Sequence, residues 1–184
     1  LNALAHCIDG IYVTSSSPIH QMAAIEGARA VVQGIRAVWN DPNSLSARSE
    51  LLFGAYLAGA ALAGGFALQH GLAHTLGGSF GLPHGKSHAV VLPYVTAYNT
   101  AFARNGIVRV AESLDTQNLA GTIHDLLGEL QLPQSLRDVD ITEADLDRIV
   151  QITVETDNGL NPGPVTSDAV SCIVRAALRG TRPN

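Results

Sequence analysis

The stretch HGLAHTLGGSFGLPHGKSH (residues 70–88) carries four of the seven histidines of the chain. His70 and His74 are four residues apart, and His84 and His88 repeat this spacing. On a helix, residues four apart lie on one face, so each pair predicts two imidazoles side by side. Imidazoles exchange protons near neutral pH and also bind metals. The stretch therefore indicates an acid–base site, a substrate-binding site or a metal site.

The charged residues around these histidines favour an anionic substrate over a metal. The stretch contains no aspartate or glutamate, although iron and zinc sites often add a carboxylate to their imidazoles. It does contain Lys86, the only lysine of the chain, whose positive charge would oppose a bound cation and attract an anion. The glycines of LGGSFG (76–81) follow no predicted strand and precede no phosphate-loop Lys-Ser or Lys-Thr pair, so they do not indicate a nucleotide-binding loop.

Three histidines lie outside this stretch. His6 belongs to the sequence NALAH, in which Asn2 and His6 are again one helical turn apart. His20 and His124 stand alone, and a lone histidine is usually a hydrogen-bonded residue of the core. We expect no special role for these two residues.

Apolar residues recur at helical spacing over most of the chain. The composition, 46% hydrophobic and 15% charged with 5% aromatics, also favours packed helices over sheets. The predicted helices cover residues 1–13, 46–64, 84–105 and 116–131, with others carrying the first histidine pair or beginning near 18, 142 and 166. Cap residues are predicted at Ser17 (before Pro18), at Thr142 with Asp145 as a capping box, at Thr166 and at the C-terminal Gly180.

The sequence also predicts how the two histidine pairs meet. GGSFGLP (77–83) is expected to break the helix that carries the first pair, because it contains three glycines and a proline. Pro83 is then expected to open a helix over 84–105, with a kink at Pro93. This glycine-rich loop would fold the second pair back towards the first.

These elements predict one all-α domain over residues 1–184. The net charge of −5 gives no electrostatic reason to expect a nucleic-acid partner, and Cys7 and Cys172 are too few for a disulfide framework, which fits a cytoplasmic protein. The apolar stretch 51–71 is rich in glycine and alanine and is interpreted as a buried helix rather than a membrane span. The chain begins at Leu1, without methionine and inside a helical pattern, so we expect it to be the second half of a longer protein.

Three motifs resemble the C-terminal half of the iron-containing alcohol dehydrogenase superfamily, which has the dehydroquinate-synthase-like fold. They are NALAH (2–6), HGLAHTLGGSFGLPHGKSHAVVLPYVTAYN (70–99) and NPGPVT (161–166). The resemblance implies an all-helical domain that follows a Rossmann-like nucleotide-binding domain, with the active site in the cleft between them. The nucleotide-binding domain would then be absent from this chain. A homodimer is also implied.

The resemblance further implies which residues would bind a metal, and one of them departs from the family pattern. Metal-dependent members take two ligands from D-A-x-x-H and two from the first and last histidines of H-x-x-x-H-x9-H. Carried over, the ligands would be Asn2, His6, His70 and His84. Asn2 replaces the only carboxylate of this set, which should weaken Fe²⁺ or Zn²⁺ binding severely. One branch of the superfamily, the maleylacetate reductases, carries N-A-x-x-H in place of D-A-x-x-H. The other motifs of this chain also resemble those of that branch, whose members work without a metal.

The implied function is the reduction of maleylacetate, a dicarboxylate, to 3-oxoadipate by NADH or NADPH in the degradation of aromatic compounds. His74 would be the proton donor and His70, His84 and His6 the other catalytic residues. Substrate contacts would come from Asn2, Lys86, His88 and Ser79. Gly77 and Gly78 would let the backbone approach the cofactor, and no metal is expected.

Two other functions remain open at this point. The first is an iron- or zinc-dependent alcohol dehydrogenase that uses Asn2 as a ligand. The second is a non-catalytic helical assembly module. The missing nucleotide-binding domain favours this alternative. A second departure also favours it, because the NPRPV of the family is NPGPV here and Gly163 replaces an arginine.

Overall fold

The computed structural model describes all residues, 1–184, and contains nine α-helices, two short 3-10 helices and no strand. The all-α prediction is therefore confirmed. The helices are α1 (Asn2–Tyr12), α2 (Pro18–Asn40), α3 (Leu45–Leu62), α4 (Leu68–Phe80), α5 (His84–Thr100), α6 (Arg104–Ser113), α7 (Leu119–Glu129), α8 (Leu146–Glu155) and α9 (Ser167–Arg179). The 3-10 helices cover Leu136–Val139 and Glu143–Asp145.

The predicted helix caps are confirmed. The Ser17 hydroxyl accepts a hydrogen bond from the backbone N–H of His20, whose ring Nδ1 accepts one from the backbone N–H of Ser17. His20 thus has a structural role at the start of α2. Thr142 forms the predicted capping box with Asp145, although the turn that follows it is a 3-10 helix. Gly180 ends α9 with a φ of 69°.

The boundaries of the histidine-bearing helices differ in part from the prediction. The glycine-rich stretch 77–83 does interrupt the helix, but only in its second half, because Gly77 and Gly78 stay helical and α4 ends at Gly81, with a φ of 70°. A glycine inside a helix costs about 1 kcal/mol relative to alanine, and packing of the fully buried Leu76 outweighs that cost. The next helix ends at Thr100 rather than Asn105, and α6 begins separately after it.

The core consists of two clusters of buried apolar side chains. The first is built mainly by α1, α2, α3, α6 and α7, and the second by α4, α5, α8 and α9. Helix α1 also packs against α4 and α5, and α5 contributes Leu92 to the first cluster and Val91 to the second. The boundary between the clusters is thus formed by α1, α4 and α5, the helices that carry His6 and the two histidine pairs.

Helices α2 and α3 approach closely and leave the opposite side of α3 open. A Cβ placed on Gly54 would lie 2.7 Å from the backbone nitrogen of Val31, so this crossing requires glycine. On the open side, Leu52 and Tyr56 are 72% and 75% exposed. None of the helices combines the length and the hydrophobicity that a membrane span needs.

Candidate active site

Five histidine rings meet at the boundary between the two core clusters. The ring centroids of His6 and His70 are 5.1 Å apart, and those of His70 and His88 are 4.6 Å apart. His88 lies 4.6 Å from His84, and His74 lies 5.9 Å from His70 and 6.1 Å from His84. The structure therefore brings together every histidine that sequence analysis assigned to the site.

The helical positions of these residues explain the cluster. His70 and His74 lie on one face of α4, and the turn of residues 81–83 leads directly into α5, whose first turns carry His84 and His88. His6 is added by α1, which packs against both of these helices. Helix α5 starts at His84, as predicted from Pro83.

The cluster has an exposed outer part and a sealed inner part. His74 and His84 are exposed, and His6 is half-buried. His70 is 3% exposed, and His88 is 0% exposed. The aromatic ring of Phe66 lies beside His70 and His74, with centroid distances of 5.6 and 5.7 Å. A substrate could reach the outer histidines directly, whereas the inner ones would act through them or after a local rearrangement.

A buried carboxylate contacts the cluster, although the stretch 70–88 itself contains no aspartate or glutamate. Asp9 is 0% exposed, and its Oδ2 lies 2.6 Å from Nδ1 of His70, within hydrogen-bond distance. Asp9 stands one helical turn after His6 on α1, but its partner follows 61 residues later. Periodicity gave no signal for this contact, because only the packing of α1 against α4 creates it.

Asp9 also caps the N-terminus of α4. Its Oδ2 accepts hydrogen bonds from the backbone N–H groups of Ala67 (2.9 Å) and His70 (3.3 Å). Helix α4 has no capping side chain of its own at Ala67. A negative charge at a helix N-terminus satisfies free N–H groups and interacts favourably with the helix dipole. The hydroxyl of Tyr12 donates a further bond of 2.6 Å to Oδ1 of Asp9.

The cluster disfavours protonation of three of its histidines. Burial first, and then the neighbouring histidines with His70 foremost, together lower the pKa of His88 to about 2. Burial and His70 likewise lower the pKa of His6 to about 4, and the pKa of His74 is lowered by the same two causes. These three imidazoles are therefore neutral near pH 7, and each carries one N–H donor and one acceptor nitrogen.

Several buried polar atoms in and around the cluster have no hydrogen-bond partner. They are Oδ1 of Asn2, Nε2 of His70 and both ring nitrogens of His88. Buried polar atoms are normally paired, because an unpaired one costs about 1–3 kcal/mol. Such a concentration at one place indicates a site arranged for a role other than stability.

The side chains form no ready-made site for a divalent metal ion in this structure. No three His, Cys, Asp or Glu side chains are arranged to hold one. Asn2 contributes a neutral amide, and the carboxylate of Asp9 is already engaged by Nδ1 of His70. Iron and zinc sites depend on converging anionic or imidazole ligands. No step of the proposed reaction is therefore routed through a metal.

The other predicted site residues lie at the edge of this arrangement. Lys86 is exposed and lines a surface pocket of about 340 Å³ together with Asp138, Asp140 and Asp145, and no histidine lines that pocket. Gly77, Gly78 and Ser79 belong to α4 rather than to a loop. A Cβ on Gly78 would meet nothing within 4 Å, so no close approach within this chain explains that glycine.

The NPGPV turn is joined to α5 through two asparagines. Asn99 of α5 and Asn161 exchange side-chain hydrogen bonds of 2.9 and 3.0 Å. Asn161 also donates to the backbone oxygen of Gly163. A Cβ on Gly163 would lie 2.5 Å from the ring of Phe102, so this aromatic ring occupies the space beside the glycine.

Comparisons with known proteins agree with this geometry. The model of the Fe-containing alcohol dehydrogenase family, C-terminal, matches residues 1–178. The maleylacetate reductase of Delftia acidovorans is 37% identical over 184 residues, which are 100% of this chain and 52% of that protein. The chain thus spans about half the length of the curated relatives it matches.

Solved structures show the same fold. The iron-containing alcohol dehydrogenase from Corynebacterium glutamicum superposes with a TM-score of 0.92 and 38% identity, over 99% of this chain and 51% of that one. The maleylacetate reductase from Agrobacterium tumefaciens gives a TM-score of 0.92 and 34% identity, over 99% of this chain and 52% of that one. The C-terminal helical domain predicted from the sequence is therefore confirmed.

Proposed function

Because the chain belongs to the Fe-containing alcohol dehydrogenase family, as its C-terminal domain, we propose that it forms the substrate side of a maleylacetate reductase. The named relatives are oxidoreductases, and maleylacetate reductases match the full length of the chain. The observation that carries the proposal is the histidine cluster, in which His6, His70, His88 and His84 follow one another at centroid distances of 5.1, 4.6 and 4.6 Å.

The reaction would need hydrogen-bond donors and a proton rather than a metal. Hydride adds to the carbon–carbon double bond that is conjugated with the substrate's ketone, and the electron pair of that bond moves onto the ketone oxygen to form an enolate. A proton then reaches the carbon next to the carbonyl and gives 3-oxoadipate. Neutral imidazole N–H groups can stabilise the developing oxyanion, and an imidazole can supply the proton.

Roles within the cluster follow from exposure. His74 is exposed, so it can contact the substrate and take up a proton from solvent, and it is our proton donor in its protonated, imidazolium form, which its lowered pKa makes the minority form near pH 7. The exposed His84 and the half-buried His6 would donate to the enolate oxygen or to a carboxylate, with Asn2 beside them. His70 would hold the inner side of this group.

Lys86, Ser79 and His88 are proposed as secondary substrate contacts. Lys86 is the residue best suited to a substrate carboxylate, provided that its exposed side chain turns from the aspartate-lined pocket towards the histidines. Ser79 lies on α4, five residues beyond His74. His88 is fully buried, so its influence on the substrate would pass through His84 or His70.

The cofactor would be held mainly by residues outside this chain. NADH or NADPH, when bound, supplies the hydride. The chain contains no strand, so it has no βαβ unit of the kind that binds a dinucleotide. We therefore propose that residues 1–184 act with an N-terminal nucleotide-binding domain, in a homodimer, and that Gly77 and Gly78 of α4 leave room for the nicotinamide.

The test uses the complete protein, in which this chain is joined to its nucleotide-binding domain. We expect it to oxidise NADH or NADPH when maleylacetate is added and to form 3-oxoadipate, identified by mass spectrometry. Ethanol and 1,3-propanediol with NAD⁺ or NADP⁺ serve as the comparison. Oxidation of these alcohols without any reduction of maleylacetate would contradict the proposal.

A metal-dependent alcohol dehydrogenase is the second candidate. The observation that favours it is the pair of sealed, unpartnered acceptors on Asn2 and His70, two of the residues that the family pattern makes ligands. The missing carboxylate and the lack of three converging ligands count against it. The alcohol assay above separates the two functions.

A further inference from the structure

We propose that Asp9 is a positioning residue that holds His70 in the tautomer protonated at Nδ1, so that Nε2 of His70 is a hydrogen-bond acceptor inside the histidine cluster. The catalytic consequence rests on the proposed function. The hydrogen on Nδ1 does not, because its place follows from the contacts of Asp9 alone.

The contacts of Asp9 determine where the proton lies. Its Oδ2 accepts from the backbone N–H groups of Ala67 and His70, which can only donate. The same oxygen lies 2.6 Å from Nδ1 of His70. An oxygen that already accepts two N–H bonds is a carboxylate acceptor and not a carboxylic acid donor. Nδ1 must therefore carry the hydrogen of this third bond.

Tyr12 engages the other oxygen of Asp9. Its hydroxyl donates to Oδ1, whereas Oδ2 is the oxygen that contacts His70. Burial and the charge of Asp9 raise the pKa of Tyr12 well above its ordinary value, so the phenol keeps its proton and remains a donor. Both oxygens of Asp9 thus act as acceptors.

The tautomer fixes the direction of hydrogen bonding within the cluster. With Nδ1 protonated, a neutral His70 presents only a lone pair at Nε2, which is sealed and has no partner in this structure. The nearest rings are those of His88 and His6, at 4.6 and 5.1 Å between centroids. A hydrogen reaching Nε2 must come from one of these rings or from a bound molecule. His70 therefore orients a donor, and the proton for the substrate comes from elsewhere, which agrees with the role given to His74.

The first test reads the tautomer directly by ¹⁵N NMR of histidine-labelled complete protein, without substrate. We expect His70 to show a pyrrole-type Nδ1 and a pyridine-type Nε2. In Asp9→Asn, the two backbone N–H groups should hold the amide oxygen in the place of Oδ2, so the tautomer is retained with a weaker bond. In Asp9→Ala, the acceptor is lost and the Nε2-protonated form should appear. Tyr12→Phe, which leaves the carboxylate on His70, is the control and should keep the wild-type pattern.

Two results would overturn the inference. One is a wild-type His70 with a pyridine-type Nδ1, which can be read even if Asp9→Ala does not fold. The other is an Asp9→Ala spectrum with an unchanged His70.

The second test measures turnover of maleylacetate. Asp9→Ala should lose about 10- to 100-fold in kcat, as is typical for partners that orient an active-site imidazole, with a smaller change in KM, and Asp9→Asn should recover part of the loss. An equal loss in both variants, with the tautomer retained in Asp9→Asn, would contradict the catalytic part. If the complete protein fails to reduce maleylacetate while the NMR pattern holds, the proposed function fails and the assignment of Asp9 stands.

Discussion

His74 is the residue on which the proposed proton transfer depends most. It is exposed beside the fully or largely buried His88 and His70. Loss of a general acid typically costs about 10²- to 10⁴-fold in rate, so His74→Gln should lower kcat for maleylacetate by that amount while the protein stays folded. His20→Gln, at the cap of α2, is the matched control and should keep nearly full kcat. Equal kcat values for His74→Gln and the wild type would remove His74 from the mechanism.

His88 should make the protein sensitive to acid. Its pKa falls from an ordinary value of 6.5 to about 2 on folding, because burial penalises the charged ring and four histidines face it: His70, His84, His74 and His6. Between these two pH values, His88 is protonated in the unfolded chain but neutral in the folded protein. The free energy of unfolding is therefore unaffected by the titration of His88 above pH 6.5 and decreases as the pH falls below it, by up to about 1.4 kcal/mol per pH unit.

The measurement is urea unfolding at several pH values between 7.5 and 5. His88→Gln should flatten the dependence of the free energy of unfolding on pH, whereas His20→Gln should leave the slope of the wild type. A His88→Gln slope as steep as that of the wild type would show that other groups cause the sensitivity.

The histidines of the site could be predicted from their spacing, but the carboxylate that orders them could not. Spacing by four residues places two side chains on one helix face, and this holds for His70 and His74 whatever the helix packs against. The bond between Asp9 and His70 joins two helices across 61 residues, so it depends on the tertiary arrangement alone. Asn99 and Asn161 both lie in motifs visible in the sequence, but their hydrogen bonds could not be predicted, because these also join residues far apart in the chain.

At the scale of the elements, the close contact of α2 and α3 gives a prediction about two glycines of one helix. A Cβ on Gly54 would lie 2.7 Å from the backbone nitrogen of Val31, whereas one on Gly59 would meet nothing within 4 Å. Gly54→Ala should destabilise the protein by about 1–3 kcal/mol through overpacking. Gly59→Ala should stabilise it by about 0.5–1 kcal/mol, because alanine is the better helix former. Thermal and urea unfolding of the two variants test this pair, and a destabilised Gly59→Ala with an unaffected Gly54→Ala would show that the helices cross differently.

Helix starts could be predicted better than the break between α4 and α5. The capping contacts of Ser17, Thr142 and Thr166 lie within three residues along the chain, so they could be predicted from the local sequence. Gly77 and Gly78 of α4 instead stay helical, because the packing of Leu72 and Leu76, which are fully buried in the second core cluster, stabilises the helix. Only Gly81, which adopts a left-handed conformation, ends the helix.

At the scale of the whole molecule, the site lies where two cores meet. Helices α1, α4 and α5 lie at the boundary of the core clusters, and their histidines would face the cleft that a nucleotide-binding domain closes. In such an enzyme the nucleotide-binding domain would bind the dinucleotide, and this helical domain would bind the dicarboxylate. The family and the helical fold could be predicted from short motifs, because these motifs carry the clustered histidines of α1, α4 and α5 and the turn that joins α4 to α5.

We propose that the histidine cluster, with Asn2 in place of a carboxylate, supports reduction without a metal. The decisive experiment measures the rate of NADH or NADPH oxidation with maleylacetate by the complete protein, before and after exhaustive chelation, with the metal content determined in parallel. We expect an unchanged rate in protein that contains no stoichiometric iron or zinc. A rate that disappears on chelation and returns with Fe²⁺ or Zn²⁺ would contradict it and make Asn2 a working metal ligand.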